Sequence, residues 1–230
     1  VSGPRKDFQP GFLAWQVRKL QRQEALREEL KDGFPRKNRL VLEIGCGHGH
    51  FLNAYAAAHP DHFCVGIDRI IERVRRATKK QRRGDLENLR FIRADAGEFI
   101  ECLPESVRFD RVFILFPDPW PKKRHYKNRL ITDSFLDVLA DRTFIGADLY
   151  FRTDYRPYFE EVAERVGKHP RWEVDLDGEW PFEESTVFQE RAESFDSLVA
   201  RKIDEKNFRG SPSRRSRRSE SGGRSGEVCR

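Results

Sequence analysis

Apolar residues recur at helical spacing near the start of the chain. Leu13, Val17 and Leu20, then Leu26 and Leu30, alternate with charged residues and predict a helix over Phe12–Lys31, stopped by Gly33-Phe34-Pro35. Short apolar runs and longer mixed stretches then alternate. The runs predict strands over 40–44, 63–67, 89–93, 111–116 and 149–153. The stretches between and after them predict helices over 51–58, 70–82, 98–103, 132–139 and 157–166, the last with proline in its first turn. Such alternation predicts a mostly parallel sheet with helices on both faces, a Rossmann-like α/β fold.

Beyond Trp172 the pattern changes. The segments 172–176 and 198–203 read as strands with no crossover helix between them, which predicts an antiparallel pair at the sheet edge. From Gly210 the chain is Ser, Arg and Gly with almost no apolar residue, too little to bury, so it is expected to be disordered. Three parts are expected: an N-terminal helical extension (1–35), a central domain (36–208) and a basic Arg/Ser-rich tail (209–230).

Composition narrows the class. With 37% hydrophobic and 36% charged residues the surface is strongly charged. No apolar run approaches the roughly 18 residues of a membrane span. Val1–Pro10 is polar and charged, which predicts no secretory signal. Cys46, Cys64, Cys102 and Cys229 show no CxxC spacing and predict reduced thiols in a cytoplasmic protein, not metal ligands. The net charge is +6, but seven arginines against two glutamates lie from Arg209 onward, so the first 208 residues are nearly neutral. Basic pI therefore describes the tail. Arg18 and Arg22 give the first helix a basic side, read either as a solvated face or as an RNA-facing arm.

The candidate chemistry lies at the carboxyl ends of the expected strands, where open α/β sheets bind ligands. After the first comes Glu43-Ile44-Gly45-Cys46-Gly47-His48-Gly49. Three glycines this close suit a turn that bends sharply and lets a ligand approach. Glu43 would repel a pyrophosphate and welcome a cation or sugar hydroxyls, and His50 stands where a dinucleotide fingerprint has its third glycine. Asp68, after the second strand, is placed for both hydroxyls of a ribose. Asp95, before Ala96 and after the third, can accept from an adenine amino group. After the fourth strand comes Phe116-Pro117-Asp118-Pro119-Trp120-Pro121, followed by Lys122, Lys123, Arg124, His125, Lys127 and Arg129. A stiff acid, an aromatic plane and a basic run together suit a nucleobase and its phosphates.

The glycine turn resembles the first motif of class I S-adenosylmethionine (SAM) methyltransferases. With Asp95-Ala96, Phe116–Leu130 and Thr153-Asp154, the chain is similar to the bacterial tRNA (guanine-N7-)-methyltransferase family from about Leu40 to about Ala192. The resemblance implies SAM as cofactor, tRNA as partner and methylation of a variable-loop guanosine, by a monomer or homodimer needing no metal or other protein. It implies that Glu43, Gly45, Gly47, Asp68, Asp95 and Ala96 bind the cofactor. Asp118 would serve both cofactor and catalysis. Lys122 and Asp154 would bind substrate, as would Thr186, Phe188 and Gln189 of a Thr-x-(Tyr/Phe)-Glu motif. Lys123, Arg124, Lys127 and Arg129 are candidate RNA contacts. Two positions depart from the family pattern: Asp68 replaces the commoner Glu and keeps the charge, whereas Gln189 replaces Glu and loses it. A methyltransferase with another substrate and a non-catalytic tRNA-binding relative remain as alternatives.

Overall fold

The computed structural model describes residues 10–35, 39–184, 194–207 and 218–220. Five parallel strands form the sheet's body: β1 (Arg39–Ile44), β2 (His62–Asp68), β3 (Leu89–Arg93), β4 (Phe109–Leu115) and β5 (Thr143–Thr153). Two further strands, β6 (Trp172–Val174) and β7 (Ser194–Lys202), complete the order β3-β2-β1-β4-β5-β7-β6, with β7 antiparallel to both its neighbours. The expected antiparallel edge is present, and the later strand is the one inserted against β5. A short β8 (Arg218–Glu220), inside the segment expected to be disordered, pairs antiparallel with β7. The rest of 209–230 lies outside the described residues.

Apolar side chains on the two faces of the sheet build two cores. On one face α2 (His50–Ala58) and α3 (Ile71–Arg83) pack through Phe51, Leu52, Val74 and Ala77. On the other, α4 (Ala96–Cys102), α5 (Asp133–Asp141) and α6 (Arg156–Lys168) pack through Phe99, Leu136 and Val162. Trp172 is fully buried there and donates its indole N–H to the Leu136 carbonyl at 3.1 Å. The helix α1 (Pro10–Leu30) adds Leu26 and Leu30 to this core, each stabilising by about 2 kcal/mol. Its earlier apolar residues Leu13, Trp15, Val17 and Leu20 stay exposed. The reason is length: α4, its main neighbour, spans only about 10 Å and covers just the last turns of α1.

Several strand boundaries differ from the sequence pattern, most of all the start of β7, at Ser194 instead of Leu198, the end of β4 and the start of β5. β4 ends before Phe116, whose φ of 49° lies in the left-handed region and breaks the extended run. β5 begins six residues earlier than expected, at Thr143. Its register against β4 shifts between Phe109 and Arg111, and Gly146 at φ 84° carries the bulge, so the turn-like Gly146-Ala147-Asp148 lies inside a strand.

Candidate active site

Strand register brings the expected site to one edge. Ile44 pairs with Ile67 and Ile114, and Leu115 with Arg152. The glycine turn, Asp68, the proline loop and Asp154 therefore all leave the sheet on its carboxyl side, with Asp95 two residues beyond β3.

The turn after β1 is held by paired amides. Gly45 and Cys46 both donate to the Ile67 carbonyl, at 2.8 and 3.0 Å. Gly45, Gly47 and Gly49 have φ of 80°, 53° and 69°, values that favour glycine. A methyl group on Gly45 or Gly47 would meet nothing within 4 Å, whereas one on Gly49 would lie 2.7 Å from both Ala77 Cβ and Phe91 Cζ. The first two glycines thus face open space and the third faces packed core.

Glu43 lies under this turn, 4% exposed, and its Oε2 has no hydrogen-bond partner among the described residues. Burial, and then the neighbouring charge of Asp68, push its carboxyl up to about 8. A buried, unpartnered acid beside an open cradle is what a cationic or hydroxyl-bearing ligand would complete. These groups fit SAM: an acid for its positive and hydroxyl groups, and open backbone where it must approach closely.

Asp68 and Asp95 each carry a structural duty the sequence did not reveal. Asp68 accepts from the Gly47 amide (3.1 Å) and the Ile70 amide (2.8 Å), so it ties the glycine turn to the start of α3. Asp95 caps α4, accepting from Gly97 at 3.0 Å and Glu98 at 3.5 Å through Oδ1, with Oδ2 3.7 Å from Arg69. Each oxygen retains lone-pair capacity. Ala96 is buried in the first turn of that helix.

The proline loop is tied to its surroundings at Phe116, Pro119 and Trp120. Phe116 donates its amide to the Arg152 carbonyl at 2.7 Å, and its ring meets Phe195 edge-on. Trp120, at φ 45°, stands edge to face with His125, centroids 5.7 Å apart. A 3-10 helix over Lys123–Asn128 folds the basic run back beneath the loop. Two non-glycine residues at positive φ cost about 1–3 kcal/mol each, strain that persists only where the surroundings hold it. Asp118 is exposed between its prolines, and Asp154 is exposed at the neighbouring exit of β5.

The basic run divides. Lys122, Lys123, Arg124 and Lys127 are exposed. Arg129, expected to face RNA, is instead buried: its Nε donates to the Pro119 carbonyl at 2.9 Å, Nη1 bonds to Glu161, and its guanidinium lies 3.6 Å from the Tyr126 ring centroid. It braces the loop from below. Arg22 is also committed, to Glu98 at 2.7 Å, while Arg18 is exposed. Thr186, Phe188 and Gln189 lie outside the described residues. The segment just before them is anchored by a group that sequence reasoning missed. Arg152 binds both oxygens of Glu183 at 3.0 Å, donates to Ser197 Oγ at 2.9 Å and packs under Trp180. Its one visible signal was an arginine inside the apolar run 149–153. Among the described residues no cluster of His, Cys, Asp and Glu could hold a metal ion, no helix is long and apolar enough to cross a membrane, and Cys46, Cys64 and Cys102 are free and buried.

Residues 37–203 match a protein-family model described as "Putative methyltransferase". The chain is 39% identical over 138 residues to a tRNA (guanine-N(7)-)-methyltransferase of Magnetococcus marinus, covering 60% of this chain and 54% of that protein. It is 38% identical over 142 residues to the one of Thermus thermophilus (60% and 46%) and 34% identical over 172 residues to the one of Roseobacter denitrificans (74% and 71%). The chain thus spans about half the length of the first two relatives. Among solved structures, the aminoglycoside resistance methyltransferase NpmB1 superposes with a TM-score of 0.53 at 20% identity, over 77% of this chain and 93% of that one. An rRNA methylase from Streptococcus thermophilus gives 0.51 at 12% identity, over 80% and 95%. These two likenesses establish the class I methyltransferase fold.

Proposed function

The chain belongs to the tRNA (guanine-N7-)-methyltransferase family, and on that premise we propose that it methylates N7 of the variable-loop guanosine of tRNA, using SAM, in the cytoplasm. The observation that carries this reading is the placement of Asp118. It is an exposed carboxylate on a stiffened loop at the β4 exit, on the same sheet edge as an open glycine cradle over Glu43, a buried acid whose Oε2 has no hydrogen-bond partner among the described residues.

Glu43, Gly45, Gly47, Asp68, Asp95 and Ala96 would hold the cofactor. Glu43 meets positive or hydroxyl groups, Asp68 the ribose and Asp95 the adenine amino group. Bound there, SAM supplies a sulfonium methyl. Guanine N7 carries an in-plane lone pair and no proton, so the protein needs no general base to unmask it. What remains for the side chains is alignment and charge placement. Asp118 accepts from the guanine N–H edge and opposes the positive charge that grows on the base. Its flanking prolines and the Arg129 brace beneath Pro119 keep it from swinging away. Lys122 and Asp154 position the nucleotide, and Lys123, Arg124 and Lys127 take RNA phosphates, while Arg129 acts through the loop it supports. Thr186, Phe188 and Gln189 belong to the substrate side by the family motif, with the Arg152–Glu183 clamp fixing where that segment leaves the fold.

The deciding experiment is transfer from labelled SAM to unmodified tRNA, with product mapped by cleavage at 7-methylguanosine. A tRNA lacking the variable-loop guanosine serves as control. Label lost in that control supports enzyme and target together. Label retained elsewhere in the tRNA would keep the enzyme and discard the target, and tRNA binding without transfer would overturn the activity.

A further inference from the structure

We infer that α3 is a second docking surface for the tRNA backbone, separate from the basic run after β4. This inference rests on the tRNA reading above and adds to it. Of the thirteen residues of α3 seven are basic and one, Glu72, is acidic. Val74 and Ala77 bury the inner side of the helix against the sheet. Three of the cations have partners: Arg73 lies 3.6 Å from Asp68, Arg75 bonds Glu72 at 2.6 Å, and Lys80 bonds the His48 carbonyl at 3.1 Å. The other four, Arg76, Lys79, Arg82 and Arg83, are exposed and have no acidic partner among the described residues.

Many surface cations of this protein are paired, whereas these four of α3 share their lack of carboxylate partners with Arg18 and with Lys122, Lys123 and Lys127 of the run after β4, among the described residues. Arg22, Arg165, Lys168, Arg171 and Arg201 each pair with a carboxylate within 3.0 Å. Like charges three and four residues apart, as at Arg76, Lys79 and Arg83, weaken a helix. The helix dipole accounts for cations in the last turn, Lys80, Arg82 and Arg83, but not for Arg76 and Lys79 further in. The field reaches the glycine turn, where burial first, and then Arg76, Lys80 and Arg73, hold His48 below its ordinary value. The near-neutral total of the first 208 residues hides this cluster.

The location suits a large polyanion whose target base is at Asp118. The helix starts three residues after Asp68 and runs back from the carboxyl edge, so Arg76 lies about 8 Å and Arg83 about 18 Å along it from that start, while β2 is two strands from β4, about 10 Å to the side. Arg76 to Arg83 covers about 10 Å along the helix, enough to meet more than one phosphate. Phosphate recognition needs point charges and no base edges, so this surface would add affinity and register without reading sequence.

The test uses the full chain and unmodified tRNA, with affinity measured across a salt series. The triple variant Arg76→Ala, Lys79→Ala, Arg83→Ala is expected to bind at least about tenfold more weakly near ~0.15 M salt. Its slope of log affinity against log salt should be shallower by about 2, since each released contact contributes about 0.7–0.9. SAM affinity and melting temperature should hold. The variant Lys31→Ala, Lys168→Ala, Lys206→Ala removes the same charge elsewhere and should leave binding near that of the parent. An α3 variant that binds with the parent's slope and affinity overturns the inference while leaving the tRNA reading intact. Equal loss in both triples overturns it too, as an effect of net charge. A parent that binds no tRNA removes the reading and this inference together. Binding of anionic phosphatidylserine vesicles that α3 substitution abolishes, with tRNA binding unchanged, would reassign the surface to membrane.

Discussion

Arg129 donates to the backbone carbonyl of Pro119 across 2.9 Å, from a side chain that belongs by sequence to the basic run and by structure to the loop's underside. The same guanidinium meets Glu161 and stacks on Tyr126, so a planar fork is needed where lysine offers only a point charge. Arg129→Ala is expected to destabilise the fold by about 2 kcal/mol, below the roughly 3–5 of a fully buried pair because Glu161 is partly exposed. Arg129→Lys should keep most of the stability, yet lower turnover by releasing Pro119. Thermal melts and single-turnover rates separate the two effects. Unchanged turnover in both variants would take the brace out of the mechanism.

Asp118→Ala should cut single-turnover methyl transfer by about 10²-fold or more, the scale of losing one preorganised electrostatic partner. Cofactor affinity should fall less, because Glu43 and the glycine turn remain. Calorimetric titration with SAM, beside rates on saturating tRNA, gives both numbers. Normal turnover in this variant would move the catalytic role elsewhere.

Glu43 makes a pH prediction with a defined sign. Its folded-state value of about 8 lies above its ordinary 4.5, so between those values the folded protein holds a proton that the unfolded chain has lost. Its contribution to stability therefore falls as pH rises from about 4.5 to about 8 and is level beyond. Glu43→Gln should flatten that fall in chemical denaturation across the range. A ligand that meets the ionised acid must also expel the proton. SAM affinity should then rise with pH up to about 8, with proton release visible in buffers of different ionisation enthalpy. Binding without proton release at neutral pH would separate Glu43 from the ligand.

Gly45 and Gly49 should fail in different ways when changed to alanine. At both, positive φ costs an alanine about 1 kcal/mol. Gly45→Ala points its methyl into open space, so melting should shift little while SAM affinity drops more than about tenfold. Gly49→Ala drives Cβ into Ala77 and Phe91 and should lose about 1–3 kcal/mol more stability through overpacking. Equal cofactor loss at equal stability in the two variants would contradict this division of the turn.

Periodicity along the chain already determined the alternating strands and helices, because a fully buried strand must be apolar throughout and a covering helix apolar on one side. It also set the acids and glycines at strand exits, since a parallel sheet sends every exit to the same edge. Tertiary structure decided what local pattern could not encode. The 3-10 helix over Lys123–Asn128 turns Arg129 inward and leaves Lys122 out, although both stand in one basic run. Arg152 and Glu183, 31 residues apart, meet only because the chain after β6 crosses back over β5. The cations of α3 stand out because of which acids the fold brings near them and which it keeps away. Whether a charge is spent or available depends on neighbours distant in sequence, and only the folded chain brings those together.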